Sequence, residues 1–254
     1  MADDAVGGKK IFFLYPHKVV SDEMLDVLIM GGFECYTLRD HRRAGFLLAR
    51  FPGSILFINI DEGMKEGEWE TYVKDLLAKP KTKESRLGII SNSMDGALLK
   101  KYKTDIGMPC GYIQLKQGIQ QSLRSLVERL QANEARGRRK YIRVDCQDEP
   151  NATMNYKYSE GTFQGKLLDI SSAGIAARIA QFPIFPANTV LNDIQLKLKS
   201  QLIMVDGIMM GNRRDDKDVW ILLFDPGKMS PVSKQGLTRF IKMSLQKYID
   251  QLMV

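Results

Sequence analysis

Five short apolar runs in the first 118 residues, each followed by a helical pattern, constrain the fold of this chain more than any other feature. The predicted strands are Lys10–Tyr15, Glu34–Leu38, Ser54–Ile60, Arg86–Ser91 and Cys110–Leu115, and the predicted helices are Asp22–Met30, Arg42–Arg50, Glu68–Leu77, Gly96–Tyr102 and Gln117–Asn133. Strands that are apolar almost throughout are buried on both faces, and intervening helices allow neighbouring strands to run parallel. The sequence therefore predicts a parallel α/β sandwich.

The pattern changes near residue 136. After it, strand-like segments follow one another without long helices, and the predicted strands are Tyr141–Cys146, Met154–Tyr158, Gly161–Ser171, Gly174–Ile179, Val190–Lys199, Gln201–Asn212 and Asp218–Phe224. Several strands at short spacing with Gly and Asp turns are typical of an antiparallel β-barrel. A C-terminal helix, Ser233–Met253, has one apolar side that plugs or flanks the barrel or, alternatively, binds a partner.

These two patterns predict two domains. Residues 1–8 are expected to form a disordered tail, residues 9–135 the α/β domain and residues 136–254 the barrel domain. The α/β domain is expected to end in a connector helix, Lys116–Ala135, whose apolar residues recur at intervals of three and four. Gly137 is the residue type that most often follows a helix end.

Several classes of protein are excluded by composition. The apolar runs are much shorter than the roughly 20 residues of a membrane-spanning helix, and the acidic start of the chain does not resemble a secretory signal. Cys35, Cys110 and Cys146 are scattered and have no paired spacing, which argues against a disulfide framework and against a zinc site. We therefore expect a cytoplasmic protein with no metal.

The positive charge is concentrated in one segment. The net charge is +7, and residues 119–144 contribute +5 of it through seven Lys and Arg against two Asp and Glu. Such a concentration favours a local anion-binding site over a broad polynucleotide-binding face.

Two motifs carry the chemistry of an anion site. The first is Arg138-Arg139-Lys140-Tyr141-Ile142-Arg143, and the second is Asp169-Ile170-Ser171-Ser172-Ala173-Gly174. Arginine binds phosphate or guanine bidentately and stacks on flat rings. Asp169 and Ser171 are two apart in a predicted strand and so share a face, and Gly174 is expected to permit a positive φ and a close approach of the backbone to a ligand.

In this order, with a strand between them, the two motifs resemble the RxxxR and D/NxSxxG signature of PilZ domains, the bacterial receptors for cyclic di-GMP. The resemblance implies that Arg139 and Arg143 are the RxxxR arginines, supported by Arg138, and that Asp169, Ser171 and Gly174 form the second motif. It implies cyclic di-GMP as the ligand, no further cofactor, and a protein target. The motifs leave open whether one ligand molecule or a stacked pair binds.

The five strand–helix repeats resemble the receiver domain of bacterial response regulators. In place of the acidic pair of receivers stands Tyr15-Pro16-His17, and Asn59 lies in the phosphoacceptor register, whereas Ser91 and Lys116 fit their places. Because Mg²⁺ needs carboxylate oxygens, we expect no phosphorylation of this domain. Asp61 is expected to cap a loop, Lys116 to be solvated, and His17 and His41 to have surface or capping roles.

The sequence thus predicts a cyclic di-GMP-binding effector that changes its interdomain arrangement to signal to a protein partner. The alternative is a nucleic-acid-binding protein that uses the basic connector, although no aromatic residues are interleaved with it as in known readers. No nucleophile–base pair, P-loop or glycine-rich dinucleotide loop indicates an enzyme. The partner, the pathway and the oligomeric state are not encoded in any recognisable motif.

Overall fold

The computed structural model describes residues 7–179, 186 and 188–252. The chain divides into two compact units, which we call the first unit and the barrel unit. The first unit comprises the residues up to Lys140 and those from Leu245 onward, and the barrel unit is Tyr141–Ser244. The predicted disordered tail, residues 1–8, lies outside the described residues except for Gly7 and Gly8, which lie close to the Gly137 backbone.

The first unit contains a five-stranded parallel sheet with the strand order β2-β1-β3-β4-β5. This confirms the predicted α/β sandwich. Its strands are β1 (Ile11–Leu14), β2 (Cys35–Leu38), β3 (Ile55–Asn59), β4 (Arg86–Ser91) and β5 (Tyr112–Gln114). Its helices are α1 (Leu25–Met30, preceded by a π-helical turn, Val20–Met24), α2 (His41–Arg50), α3 (Glu66–Ala78), α4 (Gly96–Lys100, followed by a second π-helical turn, Lys101–Asp105) and α5 (Ile119–Ala132).

Burial on both faces explains why the strands of this sheet are largely apolar. Every residue of β1 and β3 is buried, and the rings of Phe13 and Phe57 stack with their centroids 5.5 Å apart. Two of the helices start at acidic caps: Asp40 accepts a hydrogen bond from the backbone N–H of Arg42, the second residue of α2, and Asp95 caps α4 in the same way. These caps satisfy amides that have no partner within a helix.

The outer edge of β2 is covered by a side chain from the C-terminal part of the first unit. Gln246 Oε1 accepts from the backbone N–H of Thr37 at 2.9 Å, and Gln246 Nε2 donates to the carbonyl of Thr37 at 3.0 Å. The amide of Gln246 thereby makes the two hydrogen bonds that a neighbouring strand would make. An edge strand with such a cap is protected from pairing with other chains.

The barrel unit is built from antiparallel strands whose ring is closed by pairing of β8 with β9, as predicted. The strand order is β6-β8-β7-β10-β11-β12-β9, and β8 and β9 also pair. Its strands are β6 (Val144–Asp145), β7 (Thr153–Tyr158), β8 (Gly161–Ser171), β9 (Gly174–Ile179), β10 (Thr189–Leu198), β11 (Gln201–Asn212) and β12 (Val219–Phe224). The final helix is α6 (Pro231–Asp250), and the end predicted for it, Met253, lies outside the described residues.

Several predicted elements are shorter in the structure, and two of them border the first motif. The predicted strand Tyr141–Cys146 is reduced to β6, because Val144 pairs with Ile170 and the next position along β8 is Ser171, where β8 ends in a hairpin turn. The predicted connector helix, Lys116–Ala135, is only α5: Gly118 has a φ of 94° before it and Glu134 a φ of 50° after it. Neither backbone conformation is compatible with an α-helix.

Within the described residues, no helix is both long and apolar enough to cross a membrane.

Candidate ligand-binding site

The hairpin that joins β8 to β9 places the second motif. The hydroxyl of Ser171 accepts from the backbone N–H of Ala173 and donates to the carbonyl of Gly174, both at 3.2 Å. The side chain is thus part of the turn, and Ser171 is only 7% exposed. A hydroxyl with this pair of bonds keeps one lone pair, which a water molecule can use.

The reason for a glycine at position 174 differs from the predicted one. The φ of Gly174 does not lie in the left-handed region. A Cβ at this position would lie 2.2 Å from the carbonyl oxygen of Leu222 and 3.1 Å from Cα of Leu223, because β12 pairs closely with the start of β9. Glycine is therefore needed for the approach of two strands, and the expected positive φ is wrong.

Asp169 lies at the centre of the site. Its carboxylate is 20% exposed, and Arg143 Nη1 lies 4.0 Å from Asp169 Oδ1. Arg143 immediately precedes β6, which pairs with β8 and so brings this arginine from the first motif to an aspartate of the second. The side chain of Arg143 is 44% exposed and retains guanidinium N–H groups for a ligand.

A second guanidinium, which the sequence analysis did not identify, contacts the same carboxylate. Arg213 Nη2 donates to Asp169 Oδ2 at 3.2 Å from the turn between β11 and β12. The only signal in the sequence was the pair Arg213-Arg214 in a predicted turn. Because 44 positions separate Arg213 from Asp169, only the closure of the barrel brings them together.

Negative charge is concentrated on this side of the barrel. Asp145 is the register partner of Asp169 on β6, and Cys146 follows it. Burial, reinforced by Asp145 and Asp169, raises the pKa of the Cys146 thiol to about 12. The two guanidinium groups on Asp169 offset this concentration of charge.

Arg138 and Arg139, the first two arginines of the first motif, belong to the other unit. Arg138 and Arg139 are exposed and lie in bends just before the end of the first unit at Lys140. The residues before them are anchored within that unit: the Arg136 guanidinium lies 4.6 Å from the ring centre of Phe33, and the carbonyl of Ala135 accepts from Lys9 N–H. The helix that was expected to lead directly into them ends earlier, at Ala132.

The structure also shows the contacts of the polar residues around the phosphoacceptor register of the first unit. Asp61 accepts hydrogen bonds from the Ser91 hydroxyl at 2.5 Å and from Asn92 N–H at 2.6 Å, and it therefore does cap a loop. His17 Nε2 lies 2.9 Å from Asp61 Oδ2, a partner that the sequence analysis missed. In the phosphoacceptor register, Asn59 donates from its amide to the carbonyl of Tyr15.

The remaining polar residues at this end make other contacts. Lys116 is exposed, in a short 3₁₀ turn, and His41 Nδ1 lies 3.4 Å from the Tyr15 hydroxyl. Over the described residues, no group of three or more His, Cys, Asp and Glu side chains is arranged to hold a metal ion.

No protein-family model matches this sequence, and no curated protein matches it. Among solved structures, it matches the PilZ domain of YcgR from Escherichia coli with c-di-GMP, at 19% identity and a TM-score of 0.36, over 45% of this chain and 99% of that chain. It matches the Bacillus subtilis inhibitor of motility (MotI/DgrA) at 16% identity and a TM-score of 0.36, over 46% of this chain and 54% of that chain. The chain thus spans about half the length of the motility inhibitor.

A third match is the chemotaxis response regulator CheY4 of Vibrio cholerae, at 16% identity and a TM-score of 0.39, over 50% of this chain and 98% of that chain. The chain is similar to solved PilZ domains and to a solved receiver, the two families that its motifs resemble.

Proposed function

We propose that this chain is a cytoplasmic, non-enzymatic effector that binds cyclic di-GMP and signals to a protein partner by changing the arrangement of its two units. The observation that supports this most is the position of the Arg143 guanidinium beside the Asp169 carboxylate, next to the turn that begins at Ser171. Residues from both motifs of the PilZ signature thus lie together on the outside of an antiparallel barrel. All three cysteines are free and buried, which suits a reducing compartment.

The ligand has chemical groups that these side chains suit. Cyclic di-GMP carries two phosphates and two guanines. Arg138, Arg139 and Arg143 bind phosphate oxygens bidentately or stack on a guanine, as planar guanidinium groups do. The carboxylate of Asp169 accepts from guanine N–H groups, and the free lone pair of Ser171 accepts from a water molecule that bridges to a phosphate.

The proposed change of arrangement follows from where the arginines lie in the chain. Arg138 and Arg139 precede the boundary at Lys140, and Arg143 follows it. A ligand that engages arginines on both sides of this boundary binds one arrangement of the two units better than others. Differential affinity of this kind shifts the population toward the arrangement that binds.

Calorimetry with cyclic di-GMP tests the binding site. We expect Arg139→Ala and Arg143→Ala to abolish measurable binding, because each removes a bidentate phosphate or guanine contact. Arg124→Ala is the matched control: Arg124 is 77% exposed on α5, pairs with Glu128, and lies outside both motifs. Retained affinity in the Arg139→Ala and Arg143→Ala variants would refute the proposed site.

Two further measurements test the signalling part. Small-angle scattering of the full chain should change on addition of cyclic di-GMP in the wild type and stay unchanged in Arg143→Ala. A pull-down with and without the nucleotide should recover a partner in a ligand-dependent way.

Generic duplex DNA serves as the control ligand. Salt-sensitive DNA binding without any response to cyclic di-GMP would support the nucleic-acid alternative instead.

A further inference from the structure

The pair formed by Asp169 and Arg213 places hydrogen-bond acceptors directly beside donors. Arg213 Nη2 uses one N–H on Asp169 Oδ2, at 3.2 Å, and the guanidinium has further N–H groups, since it carries five in all. The side chain of Arg213 is 34% exposed and that of Asp169 is 20% exposed, so both are accessible from solvent without being fully solvated. Both residues lie in the barrel unit.

The turn that carries Arg213 is held in place by its own contacts. The backbone N–H of Arg213 donates to the carbonyl of Val219 at 2.7 Å, and the Asn212 side chain donates to the carbonyl of Lys217. On the neighbouring strand β9, Arg178 Nη2 lies 2.7 Å from Asp216 Oδ2. A bound ligand therefore meets an Arg213 whose backbone is already ordered, which lowers the entropic cost of using it.

The start of this turn is shaped by a bulge. The pairing of β11 with β12 shifts register between Met209 and Gly211, and Gly211 has a φ of 124°, which side-chain-bearing residues rarely adopt. Bulges bend a strand and redirect the residues that follow. Arg213 is the second residue after Gly211, so the bulge affects the direction in which its side chain leaves the strand.

An acceptor beside a donor is the complement of one edge of guanine. Guanine presents N1–H and its N2 amino group as donors next to the O6 acceptor, and N7 as a further acceptor. Adenine presents its N6 amino donors where guanine has O6, and it has no amino group at position 2. A carboxylate and a guanidinium side by side therefore match guanine, whereas adenine would direct donors at the guanidinium.

We infer that Asp169 and Arg213 together recognise a guanine of the bound dinucleotide, with Asp169 accepting from N1–H and N2–H and Arg213 donating to O6. Arg213 thus determines the preference for cyclic di-GMP over cyclic di-AMP. This inference rests on the proposed function and adds a specificity residue outside both sequence motifs.

Calorimetry with both nucleotides tests the inference on the full chain. We expect Arg213→Ala to weaken cyclic di-GMP binding by about 5- to 150-fold, the range for one well-formed contact to a base edge, and to leave cyclic di-AMP binding nearly unchanged. The ratio of the two affinities should fall accordingly. Arg214→Ala is the matched control, because it removes the same charge from the exposed neighbouring position and should leave both affinities unchanged.

The outcomes separate the two proposals. One outcome is that the wild type binds cyclic di-GMP while Arg213→Ala lowers the affinities for the two nucleotides equally or changes neither affinity. The specificity role of Arg213 is then refuted and the proposed function stands. If the wild type binds neither nucleotide, the proposed function fails and the specificity role fails with it. Arg213→Lys should retain part of the affinity that Arg213→Ala loses, since lysine donates a hydrogen bond to O6 but lacks the forked geometry of arginine. Thermal unfolding of each variant verifies that the barrel is folded.

Discussion

The hydroxyl of Ser91 donates a hydrogen bond of 2.5 Å to Asp61 Oδ1, so the end of β4 is tied to the loop after β3. Asn92 N–H donates to the other carboxylate oxygen, and His17 Nε2 lies 2.9 Å from the same oxygen. Three chain segments that follow separate strands thus converge on one carboxylate. Asp61 therefore has a structural role, two residues after Asn59 in the phosphoacceptor register.

The first prediction concerns removal of this carboxylate. Asp61→Ala should lower the free energy of unfolding by about 1–3 kcal/mol, because the buried Ser91 hydroxyl and the Asn92 amide lose their acceptor. Chemical denaturation of the variant and of Asp105→Ala, which removes an exposed aspartate, measures the difference.

Acetyl phosphate with Mg²⁺ should add no phosphoryl group to the wild type. A phosphoryl group found on Asp61 by mass spectrometry would show that this end of the sheet is catalytically competent.

The second prediction concerns the capped edge of β2. Gln246→Ala removes both hydrogen bonds to the Thr37 backbone, each worth about 0.5–1.5 kcal/mol, so exchange of the Thr37 amide hydrogen should become faster by about 5- to 150-fold. Hydrogen exchange resolved by NMR measures this directly. Gln235→Ala, at an exposed position of the same helix, should leave the exchange rate as in the wild type. An unchanged Thr37 rate in Gln246→Ala would mean that the cap does not limit opening of this edge.

Much of the fold was predictable because burial leaves a pattern in the sequence. The apolar run that became β3 is buried at every position, and the alternating segments that became β8 and β11 have the predicted bounds. The error at Tyr141–Arg143 has a different origin. The side chains there suit a strand, but a strand also needs a partner, and β8 ends at Ser171, where the next pair would form.

The candidate site was predictable only where its residues lie in recognisable motifs. Arg143 and Asp169 are brought together by one short strand pairing, β6 with β8. Arg213 reaches Asp169 only through the order of β9, β11 and β12 in the closed barrel, which no local pattern specifies. The positive φ expected for Gly174 was wrong for the same reason, since the backbone that this residue approaches lies about fifty residues later, at Leu222.

The third prediction follows from the close approach of β9 to β12. Gly174→Ala should destabilise the barrel unit by at least about 1–3 kcal/mol, because the added Cβ would lie 2.2 Å from a backbone oxygen that cannot move alone. Gly67→Ala provides the matched control. Gly67 lies in α3 with no atom within 4 Å of an added Cβ, so alanine there should stabilise by roughly 0.5–1 kcal/mol.

Calorimetry of the two glycine variants distinguishes these effects. A lower unfolding temperature for Gly174→Ala and a slightly higher one for Gly67→Ala are the expected pair of results. Equal stability of Gly174→Ala and the wild type would show that β9 can shift away from Leu222 without cost, and the strand pairing would then not explain the glycine.

The fourth prediction concerns acid stability of the first unit. Glu70 accepts hydrogen bonds from Lys74 at 2.6 Å and from Lys101 at 2.9 Å, and these bonds lower its pKa from 4.5 to about 2. A carboxylate whose pKa is lower in the folded state binds protons more readily when unfolded. It therefore contributes stability above pH 4.5, and this contribution is lost as the pH falls toward 2.

Glu70→Gln should remove this contribution, so the wild type and the variant should differ most in unfolding free energy above pH 4.5 and converge toward pH 2. Because the cluster is partly exposed to solvent, the difference should be small and should shrink further in high salt. Urea unfolding at several pH values measures it, with Glu84→Gln, at an exposed position, as the control that should show no such convergence. A difference between wild type and Glu70→Gln that stays constant across this pH range would rule out the charged hydrogen bonds of Glu70 as its source.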